Sequence, residues 1–115
     1  MKNKLDIVHL KTYINANDAL LKKLLTSFAT NIPPQLQELK QFATENKHHE
    51  TAEMAHKLKT PFLYFGLNTV AARLENIEQN VVSLDGAFVL DEVERIILIA
   101  NDCTEQAHQE IERLS

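Results

Sequence analysis

The chain has little of what folds use to turn corners. Among its 115 residues are two glycines, three prolines and no tryptophan. So little punctuation disfavours sheets built on tight hairpins, and no glycine-rich loop can cradle a phosphate. A single cysteine, Cys103, excludes an internal disulfide and fits a reducing compartment. No stretch is apolar enough to cross a bilayer. The most apolar run, Ile96 to Ala100, falls far below the roughly 20 residues a spanning helix needs. Basic charge is not in excess either: 12 Lys and Arg against 16 Asp and Glu give a formal net charge of −4. The basic residues are scattered, so nucleic-acid binding has no electrostatic support. Met1 to Leu10 contains lysines but also Asp6 and His9, without the apolar stretch of a signal peptide. A cytoplasmic location is expected, for a free-standing chain or the cytoplasmic piece of something larger.

What the chain does have is helix-forming residues, with Leu, Ala, Glu, Lys and Gln plentiful. Its length suits one domain, residues 1–115, with a core that needs no metal or disulfide. Leu5 to Ile14 reads as a short amphipathic helix. Asn15 to Asp18 supplies cap-type residues, after which Leu20, Leu21, Leu24, Leu25 and Phe28 recur at helical spacing. Leu36, Leu39 and Phe42 resume the pattern beyond Pro33-Pro34, predicting one long bent helix to about Thr44. Asn46 to His49 reads as a polar junction and Glu50 to Phe65 as the next helix. Gly66 permits a sharp change of direction. Val70, Ala71, Leu74, Ile77 and Val81 mark a further helix, and Ser83 to Gly86 a loop. The last helix carries Val93, Ile96, Ala100, Cys103, Ala107, Ile111 and Leu114, close to a heptad seam. Short connections favour antiparallel neighbours. The expected fold is all-α, an up-and-down four-helix bundle with a short additional N-terminal helix.

One helix carries a face that does not fit a core. At about 100° per residue, Met54, Phe65, Leu58 and Phe62 fall at roughly 160°, 180°, 200° and 240° from His56. These four form the inward stripe, and His56 points outward. Ala52, Lys59, Thr60 and Leu63 share the outer face, and His56 and Lys59 are expected to be exposed. Neutral imidazole is a good nucleophile near pH 7, its ordinary pKa being about 6.5. Attack on phosphorus needs an accessible ring nitrogen with an in-line approach. A neighbouring ammonium offsets the charge that arrives with a phosphoryl group.

The run Ala55-His56-Lys57-Leu58-Lys59, followed by Gly66 and then Ile77-Glu78, resembles the histidine-containing phosphotransfer (HPt) domain family. That family's signature is Ala-His-x-Leu-Lys-Gly, a glycine ten residues after the histidine, and a Leu-Glu pair about two turns before the next helix ends. The resemblance extends over about residues 5 to 80 in helix order. It implies a phospho-acceptor at His56, a charge-stabilising Lys59 and an imidazole-orienting Glu78, with no kinase activity in the chain itself. It also implies that His56 accepts a phosphoryl group from the aspartate of one response-regulator receiver domain and passes it to another, such as that of a hybrid sensor histidine kinase. The chain then needs no cofactor, since Mg²⁺ sits on the receiver. A monomer is expected, contacting neither nucleic acid nor membrane. Two departures stand out. Thr60 occupies a place where the family has a small residue, and Pro61 follows it, lacking the N–H that would bond the carbonyl of Lys57 and so favouring a bend. Leu63 replaces a commonly small residue. Ala52, Thr60 and Leu63 are the candidate partner contacts.

Two other readings compete. The departures at Thr60, Pro61 and Leu63 would suit a degenerate HPt-like bundle that only binds partners. Glu53-x-x-His56 and Glu105-x-x-His108, with Glu38 or Glu45 and Glu75 or Glu78, would suit a metal-binding carboxylate bundle. Metal ligands in such bundles project inward, whereas His56, Glu53 and Glu105 fall outside the seams, so no metal site is expected. His48 and His49 read as solvated helix-start residues, His9 as a surface or partly packed residue, and Cys103 as a small core residue.

Overall fold

The computed structural model describes residues 4–15 and 17–115. Five helices follow one another: α1 (Ile7–Ile14), α2 (Asp18–Thr44), α3 (His48–Tyr64), α4 (Asn68–Asn80) and α5 (Gly86–Leu114), with no strand among the described residues. Side chains start three of them. Asp6 caps α1 by accepting from the His9 N–H at 2.8 Å, and Asn17 caps α2 by accepting from Leu20 at 2.8 Å. Asp85 caps α5 by accepting from the Ala87 N–H.

The ends of α2 and α3 are built alike. Beyond α2, Asn46 takes a left-handed conformation (φ 57°), its N–H bonds the Ala43 carbonyl, and the Lys47 N–H bonds the Phe42 carbonyl. Beyond α3, Gly66 does the same (φ 74°), with bonds from Gly66 to Leu63 and from Leu67 to Phe62. Both are Schellman closures, in which a left-handed residue satisfies the orphan carbonyls of the last turn and reverses the chain. The glycine anticipated as a turn therefore caps α3 and aims α4 back along it.

The two long helices, α2 with 27 residues and α5 with 29, run the length of the molecule. Their buried residues repeat at three- and four-residue steps: Leu21, Leu25, Phe28, Ile32, Leu36, Leu39 and Ala43 on α2, then Val89, Val93, Ile96, Ala100, Cys103 and Ala107 on α5. The pair is antiparallel: the residues that follow α2 lie against the start of α5 at Asn46 and Gly86, and Lys40 pairs with Glu94 at 3.5 Å. The shorter α3 and α4 pack on each other, α3 also on α2, and Arg73 of α4 reaches Glu92 of α5 at 3.1 Å. This is the all-α bundle the periodicity predicts, with α1 across one end.

That end is strapped. The Asp6 N–H bonds the Phe65 carbonyl at 2.9 Å, and the Leu5 N–H bonds Gln106 Oε1 at 2.9 Å. Leu5 and Leu10 are buried in the same core as the bundle helices.

α2 runs as one helix through Pro33 and Pro34 to Thr44, as the periodicity predicts, and α3 stays helical through Pro61 to Tyr64, one residue short of the predicted Phe65. Other boundaries differ from the periodicity reading. α3 begins at His48, so His48 and His49 belong to its first turn rather than to a junction. α5 begins at Gly86, which ends the loop one residue earlier. Ile111 and Leu114 are only partly buried.

Candidate functional site

The inward face of α3 is held by packing. Met54, Leu58, Phe62 and Phe65 are all buried, as the wheel requires. Phe28 of α2 meets Phe62 edge-on at 5.6 Å and Phe65 at 5.3 Å, favourable aromatic geometries that fix the rotation of α3 against α2. Ala55 and Thr51 are also buried, which the four-residue stripe does not include. The Thr51 hydroxyl is tolerated there because it donates to the Lys47 carbonyl at 2.7 Å.

With that rotation fixed, His56 faces solvent, its side chain 66% exposed. Thr60 is exposed beside it, Leu63 is 44% exposed, and Ala52 is half-buried. Lys59 departs from expectation. Its side chain retains only 20% exposure, because α4 lies alongside and presents Glu75 and Glu78 to it. A single-helix wheel carries no information on what a neighbouring helix covers.

α4 supplies the rest of the site. Glu78 sits in its last turn, nearer the end than the motif spacing suggests, with 26% of its side chain exposed. Its two oxygens face different groups. Oε2 lies 2.9 Å from His56 Nδ1, and Oε1 lies 2.7 Å from Lys59 Nζ. A carboxylate can only accept, so Nδ1 carries the proton and donates it. In the neutral ring the lone pair is then on Nε2. Glu75 Oε1 stands 3.8 Å from the same ammonium. Lys59 holds the Glu78 carboxyl below its ordinary value; partial burial opposes this, and His56 adds to it. Glu78 in turn raises the Lys59 ammonium, against burial, with a smaller contribution from Glu75. Around the ring, His49, Ala52, Glu53, Lys57 and Glu78 border an open recess of about 450 Å³. A solvent-facing imidazole with a fixed tautomer and a vacant nitrogen is equipped for nucleophilic attack on a small group brought to it by a partner.

The model of the Hpt domain family matches residues 23–115. The chain belongs to the Hpt domain family. Hpt domains are phosphotransfer carriers of phosphorelays and act with receiver domains. Comparison with curated proteins and with solved structures gives no significant match. The match takes in all of α3 and α4, and thus every residue of the site just described.

The remaining candidates lie elsewhere or play other parts. Among the described residues, no three His, Cys, Asp or Glu side chains converge as metal ligands, so the two Glu-x-x-His motifs do not assemble into a centre. His49 pairs with Glu53 one turn along its own helix, and both are exposed. Burial pushes the Cys103 thiol up to about 11, which suits a core residue and not a nucleophile. No described helix is long and apolar enough to cross a membrane.

Proposed function

We propose that His56 is the phospho-acceptor of this Hpt domain, and that it carries a phosphoryl group between receiver domains in the cytoplasm. The observation that carries the reading is the exposed His56 ring with its Nδ1–H on Glu78. In the transfer, the Nε2 lone pair forms a bond to phosphorus, and the bond from phosphorus to the receiver's aspartyl oxygen breaks, returning its electron pair to that carboxylate. Nε2 carries no proton at the start, so no base is needed. The proton stays on Nδ1, held by Glu78. The reverse sequence delivers the group to a second receiver.

The chain's residues bind and orient, and the acidic pocket and its Mg²⁺ are assigned to the receiver. On this reading the domain is a carrier without kinase activity of its own. Ala52 and Thr60 flank the ring on the outer face, and Leu63 offers an apolar contact one turn further on, so a docking receiver would touch all three. The direct test is to incubate the protein with phosphorylated receiver domains and follow the acid-labile label. Transfer to the wild type and none to His56→Gln is expected. Label retained on the variant would place the acceptor elsewhere.

A further inference from the structure

The recess around His56 is poor in available positive charge. Glu53 and Glu78 border it, and a phosphoryl group brings roughly 1.5 to 2 further negative charges near pH 7. A lysine stands on either side of the ring. Counted round α3, Lys59 lies about 60° from His56 in one direction and Lys57 about 100° in the other. Lys59 is on the α4 side, where its ammonium is engaged by two carboxylates, 2.7 Å from Glu78 Oε1 and 3.8 Å from Glu75 Oε1. The two nitrogens of an imidazole direct their outward bonds away from one another. His56 Nδ1 faces Glu78, so the Nε2 lone pair points away from that carboxylate.

Lys57 is on the α2 side, where Glu38 and Phe42 of α2 share a smaller recess with it. Its side chain is exposed, it lines the larger recess together with His56, and it makes no ion pair among the described residues. Glu50 and Glu53 border the smaller recess without pairing with it, and Glu53 instead meets His49. The flexible four-carbon stem of a lysine lets its ammonium swing towards a neighbouring anion. An anion seated on Nε2 would otherwise face a recess bordered by carboxylates.

We propose that Lys57 is a phosphoryl-binding residue, whose ammonium donates to the phosphoryl oxygens on Nε2 during transfer and in the loaded protein. This role rests on His56 being the phospho-acceptor. It places the charge-balancing cation on the α2 side of the ring, while Lys59 stays on its carboxylates.

The test loads the protein from two donors. One is a phosphorylated receiver domain; the other is phosphoramidate, a small donor that gives its phosphoryl group to an imidazole nitrogen and releases ammonia. Loading is followed at His56 itself, by its ring ¹⁵N shifts, so that label on other histidines does not count. Lys57→Met should load about three- to ten-fold more slowly from both donors at low salt, and the loss should shrink as salt is raised. Lys57→Arg should recover most of the rate. Lys23→Met removes an exposed lysine of α2 outside both recesses and should stay within about two-fold of wild type. The Lys57 side-chain ¹⁵N resonance should move when His56 is loaded. A loss with the receiver alone would make Lys57 a docking contact and overturn the proposal. Wild-type rates from both donors, or an equal loss in Lys23→Met, would overturn it by leaving Lys57 a bystander. A receiver that loads a residue other than His56 would refute the acceptor assignment. The phosphoramidate arm would still decide whether Lys57 meets a phosphoryl group on His56.

Discussion

Two histidines on α3 are exposed and each meets a carboxylate, yet they are built differently. His49 pairs with Glu53 on the same helix, and both side chains are exposed to water. Such i,i+4 pairs contribute only a few tenths of a kcal/mol and hold neither ring in one orientation. His56 pairs with Glu78 from another helix. That carboxylate is three-quarters covered and braced on its far side by Lys59. The first pair is a property of one helix, and the second exists only when α3 and α4 are correctly docked. The contrast shows what a functional imidazole requires beyond exposure: an orienting partner that is itself immobile.

The strongest test of that contrast removes each ring in turn. His56→Gln should abolish phosphoryl uptake while shifting stability by about 0.5 kcal/mol or less, since the side chain is exposed. His49→Gln should change uptake by less than about two-fold. Urea unfolding and label transfer on the two variants separate the histidines; equal losses would erase the distinction. Next comes the partner. Glu78→Ala should slow transfer about ten-fold by releasing the tautomer, whereas Glu53→Ala should fall within about two-fold of wild type. Single-turnover rates decide it.

A subtler break acts on the docking of the helices. Gly66 is left-handed, and a Cβ there would lie 3.0 Å from the Asp6 Cβ. Gly66→Ala should therefore cost about 1–2 kcal/mol in urea unfolding. It should also disturb the His56–Glu78 contact while leaving His49–Glu53 untouched, which side-chain NMR would report. The smallest effect concerns acid. The folded-state Glu78 carboxyl is depressed by Lys59 and His56, so its contribution to stability is fully present above its unfolded value and disappears as pH falls through the folded one. Carboxyl NMR titration should find Glu78 below its ordinary range, and Lys59→Met should move it up. A Glu78 midpoint that ignores Lys59 would mean the pair is not formed in solution.

Much of this was legible in the residues, and the limits are physical. Leu21, Leu25, Phe28, Leu36 and Leu39 repeat strongly enough to carry α2 through two prolines. Met54, Leu58 and Phe62 fix which way α3 turns, and so they put His56 outside. What periodicity cannot supply is the neighbour. The covering of Lys59 and the approach of Glu75 both depend on α4 lying against α3, and nothing in the α3 repeat encodes the distance between two helices. Glu78 was reachable from the motif, because its spacing from His56 is fixed by one turn and two helix lengths. His48 and His49 are the solvated helix-start residues expected, but the polar run from Asn46 reads as a junction reaching His49, because polar residues look the same before a helix and in its first turn.

The strap at the end of the bundle separates two ideas of what a domain is. The family match begins at Lys23, yet Leu5, Leu10 and Leu21, all upstream of it, lie in the core, and the Asp6 backbone ties down the turn that aims α4. Burying a leucine is worth roughly 2 kcal/mol or more, so a protein cut at Lys23 would keep every residue of the site and lose part of what holds the site in shape. The stretch by which the family is recognised is shorter than the stretch that must fold.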